Sequence, residues 1–260
     1  MGRRDEPRIV AAGAASHAMK APTLRATGHL LRSALVAALV VSLVACAPAI
    51  QRQTPQLQRT EHIPRIVVMP IDVELSQLTA GGMSEPNAEW TEAAFKHMRA
   101  ALEAEAKARN VALVDFNPEG GSAEDRETSA DLVKLHRAVG SSILVYHYTP
   151  ELALPSKQGK FDWSLGPAVQ AIAKSHDADY ALFLFVRDSY ATAGRVAVIV
   201  VGALLGVGLP GGSQVGFASV VDLKTGDIVW FNRLVRPSGD LRTPEAAAET
   251  VKALVSDAMQ

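Results

Sequence analysis

The chain has 260 residues, with 26 Lys and Arg against 27 Asp and Glu, a formal net charge of −1, and one cysteine. No cluster of basic residues marks a phosphate-backbone surface, which argues against nucleic acid as a partner. The lone cysteine excludes an intramolecular disulfide, so any fold must stand on its hydrophobic core.

Residues 1–18 carry a mixed-charge lead-in with Arg3, Arg4, Asp5, Glu6 and Arg8, and Met19-Lys20 follows. A start at Met19 gives a signal peptide of ordinary shape; a twin-arginine signal at Arg3-Arg4 is the alternative, weakened by its distance from the apolar run. Lys20, Arg25, His29 and Arg32 form a basic region without an acid, and Ser33–Ala45, "SALVAALVVSLVA", forms an uncharged run. That run has the length of a signal-peptide core and is too short to span a bilayer. Leu43-Val44-Ala45-Cys46 resembles the lipobox of bacterial lipoproteins. The resemblance implies cleavage before Cys46, acylation at Cys46, no residues 1–45 in the mature protein, and, from Ala47, sorting to the outer membrane facing the periplasm. Removing residues 1–45 takes away six basic and two acidic residues and leaves a net charge near −5. Residues 46–64 are rich in Gln, Pro and Thr and read as a flexible tether.

Residues 65–260 read as one periplasmic α/β domain. "RIVVMPIDV" (65–73) is a β-branched apolar run, with Pro70 confined to an edge, a bulge or the strand end. Residues 79–90 form a loop, and Asn87 is a helix N-cap. A helix is expected over 88–109, where Trp90, Ala94, Met98, Ala101 and Leu102 share a face. A strand follows at 111–116, then a helix from Ser129 stopped by Gly140, then a strand at 142–148, "SILVYHY". After a loop over 149–164, a short helix at 165–175 leads into the central strand of "DADYALFLFVRD". "DLKTGDIVW" is a hairpin with Gly226 at the φ > 0 position. Thr243-Pro244-Glu245 opens a last helix that buries Ala247, Val251, Leu254 and Ala258. The expected fold is therefore α/β: a mixed sheet of about six strands flanked by helices, closing with a C-terminal hairpin plus helix.

"RIVVMPIDV" before a long helix, "DADYALFLF", and "VVDLKTGDIVW" before a C-terminal helix resemble bacterial lipoproteins of the TolB amino-terminal or CsgG type. "AGG…EPNAEWTEAA" adds a likeness to proteobacterial outer-membrane lipoproteins carrying the same region. The likeness covers most of 65–258. It implies a periplasmic domain working on protein partners, or a subunit of an oligomeric secretion pore, and it carries over no catalytic residue.

One segment breaks the pattern: "RVAVIVVGALLGVGLPGG" (195–212) is uncharged from Val196 to Leu209. Gly206 to Gly211 spells G-x-G-x-x-G, but Pro210 and Gly211-Gly212 end an element where a dinucleotide site needs a helix to begin. Three readings stay open: a core element, a contact surface, or a membrane-inserting element. Val200 and Leu204 within it, and Met83 and Glu85 in the 79–87 loop, are the candidate contact residues.

Catalytic and metal chemistry find little support. His97, His136, His147 and His176 are isolated in sequence, and Ser141, Ser142 and Ser219 lack a nucleophile-elbow context. Asp177 and Asp179 in "HDADY" read as turn residues entering a strand. No catalytic residue, cofactor or metal is expected. The expected function is a non-enzymatic, lipid-anchored envelope protein binding protein partners or copies of itself, with an envelope hydrolase as the remote alternative.

Overall fold

A computed structural model describes residues 64–237 and 239–258. The expected signal peptide, Cys46 and residues 46–63 lie outside the described residues. The order is β1 (Ile66–Val68), β2 (Asp72–Leu78), β3 (Ser84–Pro86), α1 (Ala88–Ala108), β4 (Leu113–Asp115), α2 (Ala123–Tyr146), α3 (Gln170–His176), β5 (Tyr180–Ala191), α4 (Ala193–Leu204), β6 (Gly212–Asp222), β7 (Ile228–Arg236) and α5 (Pro244–Val255). Short 3₁₀ turns occupy 150–152, 155–157 and 167–169.

Among the described residues the fold is α/β, with a mixed sheet of seven strands flanked by five helices. The strand at 180–191 is its spine. Its first half pairs in parallel with β1 and its second half in parallel with β2. Its other edge pairs antiparallel with β6 along almost its whole length, and β6 pairs antiparallel with β7. The run 65–73 is thus one strand interrupted at Met69–Ile71: Pro70 cannot donate to a ladder, and the register with β5 slips by one residue across it. β4 extends the sheet beyond β1, and β3 extends it beyond β2.

Both faces are covered. On one, α1 and α5 bury Ala94, Met98, Leu102, Val251 and Leu254 against Leu75, Leu182, Leu184, Val220 and Trp230. On the other, α2 and α3 bury Leu132, Ile143 and Ile172 against Phe183, Phe217 and Phe231. A central strand covered on both faces needs apolar residues in succession, which is why "ALFLFV" does not alternate.

The caps follow the sequence reading. Asn87 accepts from Trp90 N at 3.0 Å, and Thr243 caps α5 through Ala246 N. Gly226 has φ +87°, and a side-chain carbon there would fall 2.2 Å from Gly166 O. Asp177 has φ +46°, pairs with Arg65 and ends α3, while Asp179 accepts from Arg65 N at 2.9 Å. Both aspartates therefore serve the entry to β1 and β5.

Three expectations are corrected. Residues 142–148 are not a strand: α2 continues to Tyr146, and Gly140 lies inside the helix. Leu132, His136, Gly140 and Ile143 make one helical stripe, and the face they bury overrides the strand-like propensity of "ILVYHY". That helix begins at Ala123 rather than Ser129, because Ser122 and Asp125 form a reciprocal capping box. Within the expected loop 79–90, β3 folds back on β2 to make a small hairpin, so the sheet has seven strands instead of about six.

Candidate contact surface

The candidate surface is built where β5 and β2 end together. Thr192 N donates to Leu78 O at 3.0 Å, and Ala191 N donates to Gly211 O at 2.8 Å. Three segments therefore meet there: the β2–β3 turn, the start of α4, and the chain returning from it. The turn is tight, with Thr79 N bonded to Met83 O at 2.9 Å and Gly82 at φ +84°. Thr192 caps α4 by accepting from Arg195 N at 3.2 Å.

Arg195 locks this end. It is buried, and its Nε and Nη2 donate to Pro210 O at 3.3 and 3.2 Å. A side-chain carbon at Gly82 would lie 3.2 Å from Arg195 Nη1, and one at Gly194 would lie 3.5 Å from Ala80 Cβ. The two stretches singled out in the sequence, 79–87 and 195–212, are thus neighbours. At the far end of α4, Gly206 takes φ +76° and Val207 N bonds Gly202 O at 2.8 Å, turning the chain back. Leu209 then packs against Gly202, where a side-chain carbon would sit 3.2 Å from its Cδ1.

Among the described residues, the strip of α4 turned inward is Arg195, Ile199 and Gly202. The rest faces outward. Val200 is 54% exposed, Leu204 82% and Leu205 76%, with Val196, Val201 and Val207 also exposed. Met83, on the adjoining turn, is 66% exposed. Glu85 is exposed as well, and its carboxylate accepts from Gln77 Nε2 at 3.1 Å across the hairpin. The core reading of 196–209 is therefore overturned: the fold leaves this stretch on the surface. Among the described residues, no helix is long and apolar enough to cross a membrane.

The polar groups elsewhere are arranged to hold the fold. Asp188 Oδ2 accepts from Tyr190 Oη, from Gln214 Nε2 at 2.7 Å and from Leu241 N at 3.3 Å. Gln214 Oε1 accepts from Arg236 Nε at 2.7 Å and Thr250 Oγ1 at 3.2 Å. This network ties Leu241 and α5 to the sheet, and burial raises the Asp188 carboxyl above the usual range. His136 Nε2 and Ser219 Oγ lie 2.6 Å apart, but both residues are fully buried, out of reach of a substrate. A cleft of about 220 Å³ beside the end of β1 is lined by apolar groups and Arg99, whose guanidinium pairs with Glu103 and Asp115. Among the described residues, no group of His, Cys, Asp and Glu is placed to hold a metal ion.

No family model and no curated protein matches the chain. Among the solved structures that align with it are the PelC dodecamer from Paraburkholderia phytofirmans and a point variant of that dodecamer. Each is 13% identical over 82% of this chain, spanning 98% and 99% of theirs, with TM-scores of 0.37 and 0.35.

Proposed function

We propose that this is a lipid-anchored protein of the outer membrane, held at Cys46 and facing the periplasm, that works by apolar association rather than catalysis. The end of the sheet formed by α4 and the 79–83 turn is its contact surface. The observation that carries this reading is the exposure of an uncharged stretch, 196–209, on a domain whose core is otherwise closed. Soluble domains rarely leave such contiguous apolar surface to water. The lipobox-like Leu43-Val44-Ala45-Cys46 supports the anchor.

Two measurements test the two halves. Metabolic palmitate labelling is expected in the native chain and absent in Cys46→Ser; equal labelling in both would contradict the anchor. A photo-crosslinking amino acid at Leu205 is expected to give covalent adducts in intact cells, and one at Lys224, on the turn at the other end of the sheet, is expected to give none. Equal adduct yield at the two positions would contradict a contact role for α4.

A further inference from the structure

We propose that α4 docks into the interfacial layer of a lipid bilayer, as a second attachment beside the acyl chains on Cys46. This rests on the reading above and names what covers the exposed helix.

At about 100° per residue, Val196, Val198, Val200, Val201, Ala203 and Leu204 spread over roughly 220° of the helix circumference. All are exposed, and among the described residues the strip turned onto the protein itself is Arg195–Ile199–Gly202. A helix packing on another protein buries a stripe of roughly 100° or a little more. Fluid acyl chains conform to the whole arc, whereas a second copy presenting the same rigid helix would leave flanking valines and leucines in water.

Twelve residues make a helix of about 18 Å, well short of a ~30 Å hydrocarbon core. Such a helix lies along the interface with its apolar side ~5–10 Å deep. Leu205 and Val207, just past the helix end, continue the same exposed apolar surface.

The described chain begins beside the start of β5, since Ile66 pairs with Tyr180, and α4 follows the opposite end of that strand. β5 is about 36 Å long at ~3.3 Å per residue. The stretch from Cys46 to Pro64 extends to about 60 Å at the same rise. An anchor at Cys46 and α4 can therefore engage one membrane at the same time.

The chemistry also sets the kind of membrane. No charged side chain lies between Val196 and Val221, and Arg195 is buried against Pro210 O. Docking then needs neither anionic lipid nor low salt.

The test uses the full chain matured in cells, with Cys46 acylated, reconstituted in phosphatidylcholine vesicles. A polarity-sensitive dye is attached at Leu204→Cys, in a second preparation at Val200→Cys, and in a third at Lys224→Cys. The expected result is a blue-shifted emission at positions 204 and 200 that is largely lost when the acyl chains carry a quencher, and that does not change from low to high salt. The label at 224 keeps water-like, unquenched emission. A blue shift at 204 and 200 that ignores the acyl-chain quencher and disappears when the protein is diluted among excess vesicles would overturn membrane docking. That outcome means a second copy covers the helix, and it leaves the association reading standing. Water-like emission at all three positions would overturn both.

Discussion

Acidification from pH 7 to about 4.5 is expected to remove about 3 kcal/mol of stability through one residue, His136. The side chain is buried, its ring stacks on Phe183 with centroids 4.7 Å apart, and Nε2 lies 2.6 Å from Ser219 Oγ. Burial pushes the imidazole down to about 3 from an ordinary 6.5. Between those values the unfolded chain binds a proton that the folded chain does not, so stability falls as pH drops below about 6.5 and stops falling near 3. Asp188, raised by burial, acts with the opposite sign, being better tolerated in the fold when protonated. The His136 contribution is therefore isolated by comparison with His136→Gln, which cannot titrate. Urea unfolding at pH 7 and 4.5 should show the native protein losing about 3 kcal/mol more than the variant. Equal losses would contradict it. Should the variant fail to fold, the His136 ring followed by NMR in the native protein should remain neutral at pH 5; a charged ring there would contradict the same claim.

Gly140→Ala is expected to destabilise the domain although alanine favours helix. The substitution gains about 1 kcal/mol of helix propensity. Against that, the new carbon would sit 2.0 Å from Phe217 Cε2 and 2.4 Å from its Cζ. That ring cannot swing aside: it is fully buried and stacked between Phe185 at 4.6 Å and Phe231 at 5.6 Å. Overpacking of this kind costs about 1–3 kcal/mol and sometimes more. With an overlap this severe, a net loss of about 2 kcal/mol, or roughly 4–8 °C in Tm, is expected. A Tm equal to or above that of the native protein would show that Gly140 is in the helix for another reason.

Local chemistry made much of this fold legible. Asn87, Thr243-Pro244-Glu245 and the "DLKTGDIVW" turn each announce their element, because caps and tight turns depend on neighbours in sequence. Gly140 was opaque for the opposite reason. A glycine near the end of an apolar-periodic stretch reads as a stop, and only the ring of Phe217, 77 positions later, reveals it as a close approach between helix and sheet. Residues 142–148 misled in the same way, since β-branched and aromatic residues satisfy a buried helix stripe as well as a strand. The interruption of 65–73 was half visible: Pro70 marks a break, but the return of the chain to pair with the same neighbour depends on β5.

The proposed contact surface was legible as residues but not as a place. An uncharged run of fourteen residues looks the same whether it lies in a core or on a surface. What decides is that β2 and β5 end at the same level, that Arg195 turns inward to Pro210, and that Val196, Val200, Val201 and Leu204 are left exposed. The vicinity of the 79–83 turn to α4 depends on Gly82 and Gly194 leaving room for Arg195 and Ala80, a relation across more than one hundred positions.

The central claim is that 196–209 belongs to the working surface and not to the core. Val200→Asp combined with Leu204→Asp, made in the full chain carrying the photo-crosslinking amino acid at Leu205, tests it most directly. Exposed substitutions of this kind change stability by only about 0.5 kcal/mol, so the melt should stay within a degree or two of the native protein. The adducts at Leu205 in intact cells should disappear. A doubly substituted protein that unfolds, as burying two carboxylates in a core would require, or one that folds and keeps its adducts, would contradict the account.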